Sequence, residues 1–114
     1  MTTPNLGLPE VPSNSLQPSV PINDALQVLD AITQLVVQDK DLSAPPITVA
    51  EDAGKVWIVG AAATGAWAAH ETQLALCVGA DLWRFIVPKT GWRGYVLDES
   101  ADYRYTGTAW VLLT

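Results

Sequence analysis

Most of the residues from which catalytic and metal sites are built are scarce in this sequence. Its 114 residues include one cysteine, Cys77, one histidine, His70, and six Lys and Arg against twelve Asp and Glu, for a formal charge of -6. A single cysteine excludes an internal disulfide and agrees with folding in a reducing compartment. The run Leu74-Ala75-Leu76-Cys77-Val78 offers no base to lower the thiol pKa, so Cys77 reads as a small buried hydrophobe. His70-Glu71-Thr72-Gln73-Leu74 opens like a zinc-protease helix, but Leu74 stands where the second histidine is required. A Ser or Cys triad would also depend on His70, and no Gly-x-Ser-x-Gly elbow presents a nucleophile. The bases are scattered, which excludes the cationic track that nucleic acid or an anionic membrane needs. No stretch approaches the roughly 18 uncharged apolar residues of a membrane span. Met1-Thr2-Thr3-Pro4-Asn5 has neither a basic nor an apolar leader region, so the expectation is synthesis in a cytosol without membrane insertion.

Other apparent motifs fail on inspection. Gly60 to Gly65 has phosphate-loop spacing but continues as Ala66-Trp67, where Lys and Ser or Thr must reach phosphate and magnesium. The carboxylate neighbours Asp39/Asp41, Glu51/Asp52 and Asp98/Glu99 sit at turns and read as solvated punctuation rather than as the paired carboxyls of a glycosidase. Asp39-Lys40-Asp41 lacks the further ligands and the glycine of a calcium loop. No catalytic, cofactor-binding or metal-ligating residue is assigned, and no enzyme activity is expected.

What is present points to one small domain, large enough to bury roughly 65% of its unfolded surface without disulfide or metal. Five of the eight prolines fall within residues 1–21, which excludes helix and central strand there and predicts an extended arm. That arm carries Leu6, Leu8, Val11, Leu16 and Val20, more apolar groups than a solvated linker holds, so it should lie against a surface, its own or a neighbour's. Asn23 then suits an N-cap, and apolar residues at three- and four-residue steps predict a helix over roughly 24–38 within a helical region 22–41. Ile22, Ala25, Leu29, Ile32 and Val36 also fit an a/d seam for about two heptads. Pro45-Pro46 ends that region. Residues 42–114 read as short strands at Lys55–Val59, Gln73–Val78, Leu82–Val87, Arg93–Asp98, Tyr103–Tyr105 and Ala109–Leu113, with a hairpin at Gly79-Ala80-Asp81. The fold class expected is α+β, mainly β: arm, one helix, then a small antiparallel sheet, sandwich or partly open barrel. Alternation along the strands places Trp83 and Phe85, Tyr103 and Tyr105, and Trp110 on an aromatic face. Exposed Trp rings would instead stack on sugars, and Trp67 and Trp92 are the candidates for glycan contact.

Five segments in order carry a family resemblance: Asn5-Leu6-Gly7-Leu8-Pro9-Glu10, Ile22 to Ile32, Leu42-Ser43-Ala44-Pro45-Pro46, Ala62 to His70, and Trp83 to Trp92. Together they resemble the phage-related domain of unknown function 2793 family, found in fibre, spike and related virion proteins of tailed phages, prophages and gene transfer agents. Departures are Asp24, where members usually carry Glu, and the more proline-rich Ser19-Val20-Pro21. Many relatives continue into a long fibre or receptor-binding region, so the expectation here is the attachment module alone.

The resemblance implies a noncatalytic virion structural protein, assembled in the bacterial cytoplasm, that docks an oligomeric fibre or spike on the particle. It implies no cofactor and no catalytic residue. The expected partners are other virion proteins, through the arm residues Leu6, Leu8, Val11, Leu16 and Val20, and further copies of the chain, as a trimer, through Ala25, Leu29, Ile32 and Val36. The alternative is a Trp-rich module that recognises a host surface polysaccharide.

Overall fold

The computed structural model describes residues 2–10 and 19–113, the first three helical residues by backbone alone. Helix α1 spans Ser19–Thr33. It starts four or five residues before the expected point because Pro21 falls in the first turn, where backbone N–H groups have no intrahelical partner and a missing donor costs nothing. It also stops earlier than expected. After Gln34 the burial alternates, with Leu35 and Val37 buried and Val36 exposed, which is the two-residue period of a strand. Val36–Val37 form β1, for which the sequence reading made no place.

The remaining strands are β2 (Val56–Ile58), β3 (Leu74–Gly79), β4 (Leu82–Ile86), β5 (Arg93–Val96), β6 (Ala101–Tyr105) and β7 (Trp110–Leu112). They make one sheet in the order β4-β3-β2-β1-β5-β6-β7. The sheet is mixed rather than antiparallel throughout: β1 runs parallel to both β2 and β5, while every other pair is antiparallel. The bonds that seat β1 are Tyr95 N–H to the Leu35 carbonyl at 3.0 Å, Leu97 N–H to Val37 at 2.8 Å and Gln38 N–H to Val56 at 2.8 Å. The β3–β4 hairpin closes over Ala80-Asp81, with Asp81 at φ 55° and a register shift between Cys77 and Gly79. The class is α+β, mainly β, and the sheet curls as a half-barrel around one face.

That inner face holds the main core: Ala31 of α1, Leu35, Val37, Val56, Ile58, Leu74, Leu76, Val96 and Tyr103, with Ile32, Trp92 and Trp110 packed against it. Among the described residues the opposite face is covered at β2–β4, where residues 59–73 fold over Trp57, Ala75, Cys77, Trp83 and Phe85. The aromatic residues are therefore split between faces instead of sharing one. Trp83 meets Trp57 and Trp67 edge-on, with ring centroids 5.4 and 5.2 Å apart. His70 stacks on Phe85 at 3.7 Å, and its Nδ1 pairs with Gln73 Oε1 at 2.9 Å, so the lone histidine closes this second core. Trp110 Nε1 donates to the Thr72 carbonyl at 2.8 Å and ties the β7 edge to the loop before β3.

The N-terminal segment is a compact loop rather than an extended arm over residues 2–10. Thr3 N–H donates to the Leu8 carbonyl, Gly7 takes φ +72°, and Thr2 and Pro9 form an antiparallel bridge. The loop closes on Asp30, which is 1% exposed on the inner side of α1. Thr3 Oγ1 and Leu6 N–H donate to Asp30 Oδ1 at 2.5 Å each, and Asn5 N–H donates to Oδ2 at 2.8 Å. Asn5 Nδ2 also donates to the Gly54 carbonyl at 2.9 Å. Pro4 lies so close to Gly54, at φ +97°, that a Cβ there would collide with the proline ring. A carboxylate accepts hydrogen bonds only and is costly to bury unless its oxygens are satisfied, and here the loop satisfies them. Asp30→Ala should lower unfolding free energy by about 2–4 kcal/mol, because it removes the acceptor of three donors. Urea titration measures the loss, and a change under about 0.5 kcal/mol would contradict this account.

Candidate functional site

The side of α1 turned away from the sheet carries Ile22, 41% exposed, Ala25, and Leu29, 49% exposed, with Ile32 half-buried at its margin. These residues recur every three or four positions and form one stripe. The stripe has no charge, because both helix carboxylates are engaged elsewhere. Asp24 Oδ1 pairs with Arg84 Nη2 of β4 at 3.1 Å, and Asp30 is held inside the N-terminal loop. Beyond Leu29 and Ile32 the stripe opens into a groove of about 410 Å³ lined also by Leu35, Trp92 and Arg93.

The structure brings together three of the four residues expected at an oligomer interface. Ala25 and Leu29 are exposed and Ile32 flanks them. Val36 does not extend the seam, because it lies in β1 and faces away from the core beside Tyr95. Of the expected docking arm, Leu6 is exposed on the Asp30 loop and Leu8 is half-buried. Val11, Leu16 and the Val20 side chain lie outside the described residues. Trp67 is 0% exposed and cannot contact a glycan. The small residues around it, read from sequence as a loop, are the lid of the second core. Trp92 is half-buried against the main core and reaches only the rim of the groove.

A polar constellation lies at the β5–β6 turn. Lys40 Nζ pairs with Asp41 at 3.1 Å and Glu99 at 3.5 Å and sits 4.9 Å from the Tyr103 ring centroid. Desolvation pulls its pKa down, but the hydrogen bond to Asp41 and the charges of Asp41 and Glu99 outweigh this and raise it. The Tyr103 hydroxyl donates to Glu99 Oε1. Asp98 is pushed up by desolvation and by the negative charges of Asp39, Glu99 and Asp41. This cluster staples β1 to the β5–β6 hairpin. Among the described residues no group of three or more His, Cys, Asp and Glu converges as metal ligands, and no helix is long and apolar enough to cross a membrane.

Sequence reasoning missed two features: the Asp30 loop, and a polar half-face of the sheet described below. Asp30 looks like an ordinary outward carboxylate in the helical pattern. The signal for its partner was Thr3-Pro4-Asn5-Leu6-Gly7-Leu8, a turn sequence ending in a glycine that takes positive φ.

Helix, curled mixed sheet and an unpartnered apolar seam define a small α+β module without an evident reaction centre among the described residues. The family model described as protein of unknown function (DUF2793) matches residues 22–111, from the first exposed residue of the seam into β7, and the chain belongs to that family. No curated protein shows a significant match to the sequence.

The Tyr103 phenol is held above its ordinary range, first by its hydrogen bond to Glu99 and then by burial. Glu99→Gln should therefore move its ionisation to lower pH, followed as tyrosinate absorbance in the near ultraviolet. An unchanged titration would remove Glu99 as the cause.

Proposed function

We propose that this chain is a noncatalytic structural module of a bacteriophage particle, which assembles with copies of itself about α1 and attaches a fibre or spike to neighbouring virion proteins. The observation that carries this reading is the neutral apolar stripe Ile22-Ala25-Leu29-Ile32 on a chain of charge -6. Like-charged copies repel over most of their surface, but less along a seam where Asp30 is buried and Asp24 is paired with Arg84. An a/d stripe is complementary to itself, with Ala25 small enough for close approach and Leu29 as the knob, and three copies in parallel would enclose it. Ile22 and Leu29 are already about half covered, so burying the remainder contributes roughly 1 kcal/mol each. The resemblance to fibre and spike proteins supports the setting: a virion component, made in the host cytoplasm.

Docking to the particle is proposed to use Leu6, at the rim of the Asp30 loop, and the apolar residues Leu8, Val11, Leu16 and Val20 of the same stretch. The loop would fix that stretch to the helix that gathers the copies.

Native mass spectrometry of the full chain should show a trimer. Leu29→Glu should give a monomer with unchanged far-ultraviolet circular dichroism, because residue 29 is exposed and the core does not use it. A wild-type monomer at tens of micromolar, or a Leu29→Glu trimer, would overturn the seam. Absence of the chain from purified particles would overturn the virion setting.

A further inference from the structure

Among the described residues nothing is folded over the face of the sheet opposite α1 at β5 and β6, and that face carries a pairing that costs stability. Arg93 of β5 and Arg104 of β6 are direct cross-strand partners, which sets their Cβ atoms about 5 Å apart on one face. Like charges so placed destabilise a ladder. Both residues are exposed. Lys40, Lys55 and Arg84 form the ion pairs found among the described residues, and neither Arg93 nor Arg104 takes part in one. Among the described residues two guanidinium groups are thus set together without an ion-pair partner on an acidic chain.

The surroundings suit a polyol. Tyr95, 37% exposed as a residue, lies on the same face, two residues along β5. Asp102, its cross-strand partner, supplies acceptors for hydroxyl groups. Gln34 supplies an amide where the chain leaves α1. Gln34, Arg93, Tyr95 and Asp102 line a groove of about 270 Å³. An aromatic ring offers a platform for the apolar face of a pyranose, and a few convergent polar groups fix its orientation. Guanidinium forks bind a planar carboxylate in bidentate fashion.

We propose that this face binds a carboxylate-bearing saccharide unit of an anionic polysaccharide, with the acid group between Arg93 and Arg104 and the sugar ring against Tyr95. A phosphate backbone would require a longer cationic track. An acidic peptide would use the arginines but leave Tyr95 and Gln34 without a role. The groove at Tyr95 and the groove beside Leu29 and Ile32 share Arg93, while Tyr95, Asp102 and Arg104 lie outside the helix seam.

The test is a titration of the isotope-labelled full chain, followed by amide chemical shifts, with trigalacturonate, sialyllactose, cellotriose and hexaglutamate as probes. At least one of the two acidic sugars should give saturable shifts centred on residues 93–95 and 102–104. Arg93→Gln with Arg104→Gln should weaken that binding by roughly tenfold or more. The same variant should melt no lower than wild type, because the change relieves a like-charge pair. Tyr95→Ala should weaken binding as well, and Lys89→Gln should not. No saturable shift with either acidic sugar, cellotriose binding as tightly as the acidic sugars, or hexaglutamate binding at least as tightly would overturn the proposal, the last by assigning the arginines to an acidic protein partner. Ile22→Glu, on the stripe but away from the grooves that Arg93 lines, should leave saccharide binding unchanged, so failure here is distinct from failure of the assembly seam.

Discussion

Two valines hold the sheet together. On one side of β1 lie β2, β3 and β4, on the other β5, β6 and β7, and each trio is an antiparallel set with no strand pairing to the other. Val36 and Val37 pair in parallel with both, so the ladder between the two halves consists of the few bonds made by Leu35, Val37 and Gln38. Val37 is fully buried at the centre of the core, between Val56 and Val96. A strand so short has little stability of its own. It is held because α1 delivers it into the sheet and because Leu35 packs over Gly94, where a Cβ would stand 3.0 Å from Leu35 Cδ2.

The helix that delivers β1 is itself fixed at three places. Ala31 and Ile32 join the main core, Asp24 reaches Arg84 on β4, and Asp30 is gripped by the loop of residues 3–6. These contacts use the inner side and both carboxylates of α1. What remains outward is apolar and neutral, a surface that a solitary domain has no reason to keep. The burial of Asp30 and the pairing of Asp24 with Arg84 leave the external stripe without a free carboxylate.

Coverage of the sheet also decides where ligand chemistry can sit. The lid of residues 59–73 reaches β2, β3 and β4 and leaves the rest of that face open. The rings beneath the lid, Trp57, Trp67 and Trp83, are therefore core, while Tyr95 and the two arginines beyond it are surface. Composition alone suggested tryptophan as the sugar-facing residue. The fold places the tryptophans in or against its two cores and leaves a tyrosine beside charge.

The sequence by itself determined the elements. Apolar residues at three- and four-step spacing called for a helix with an exposed seam, alternating strands with a short Gly-Ala-Asp connection called for hairpins, and one histidine with one cysteine left little room for site chemistry. These signals are local, carried by periodicities of 3.6 and 2 within a few residues of each other. Only the tertiary structure decided that Leu35 to Val37 leave the helix for the centre of a sheet, that Asp30 turns inward to a loop some 25 residues away, and that Arg93 faces Arg104. Each depends on a partner distant in the chain, and strand pairing and register arise from the packing of the whole core, which no local pattern encodes.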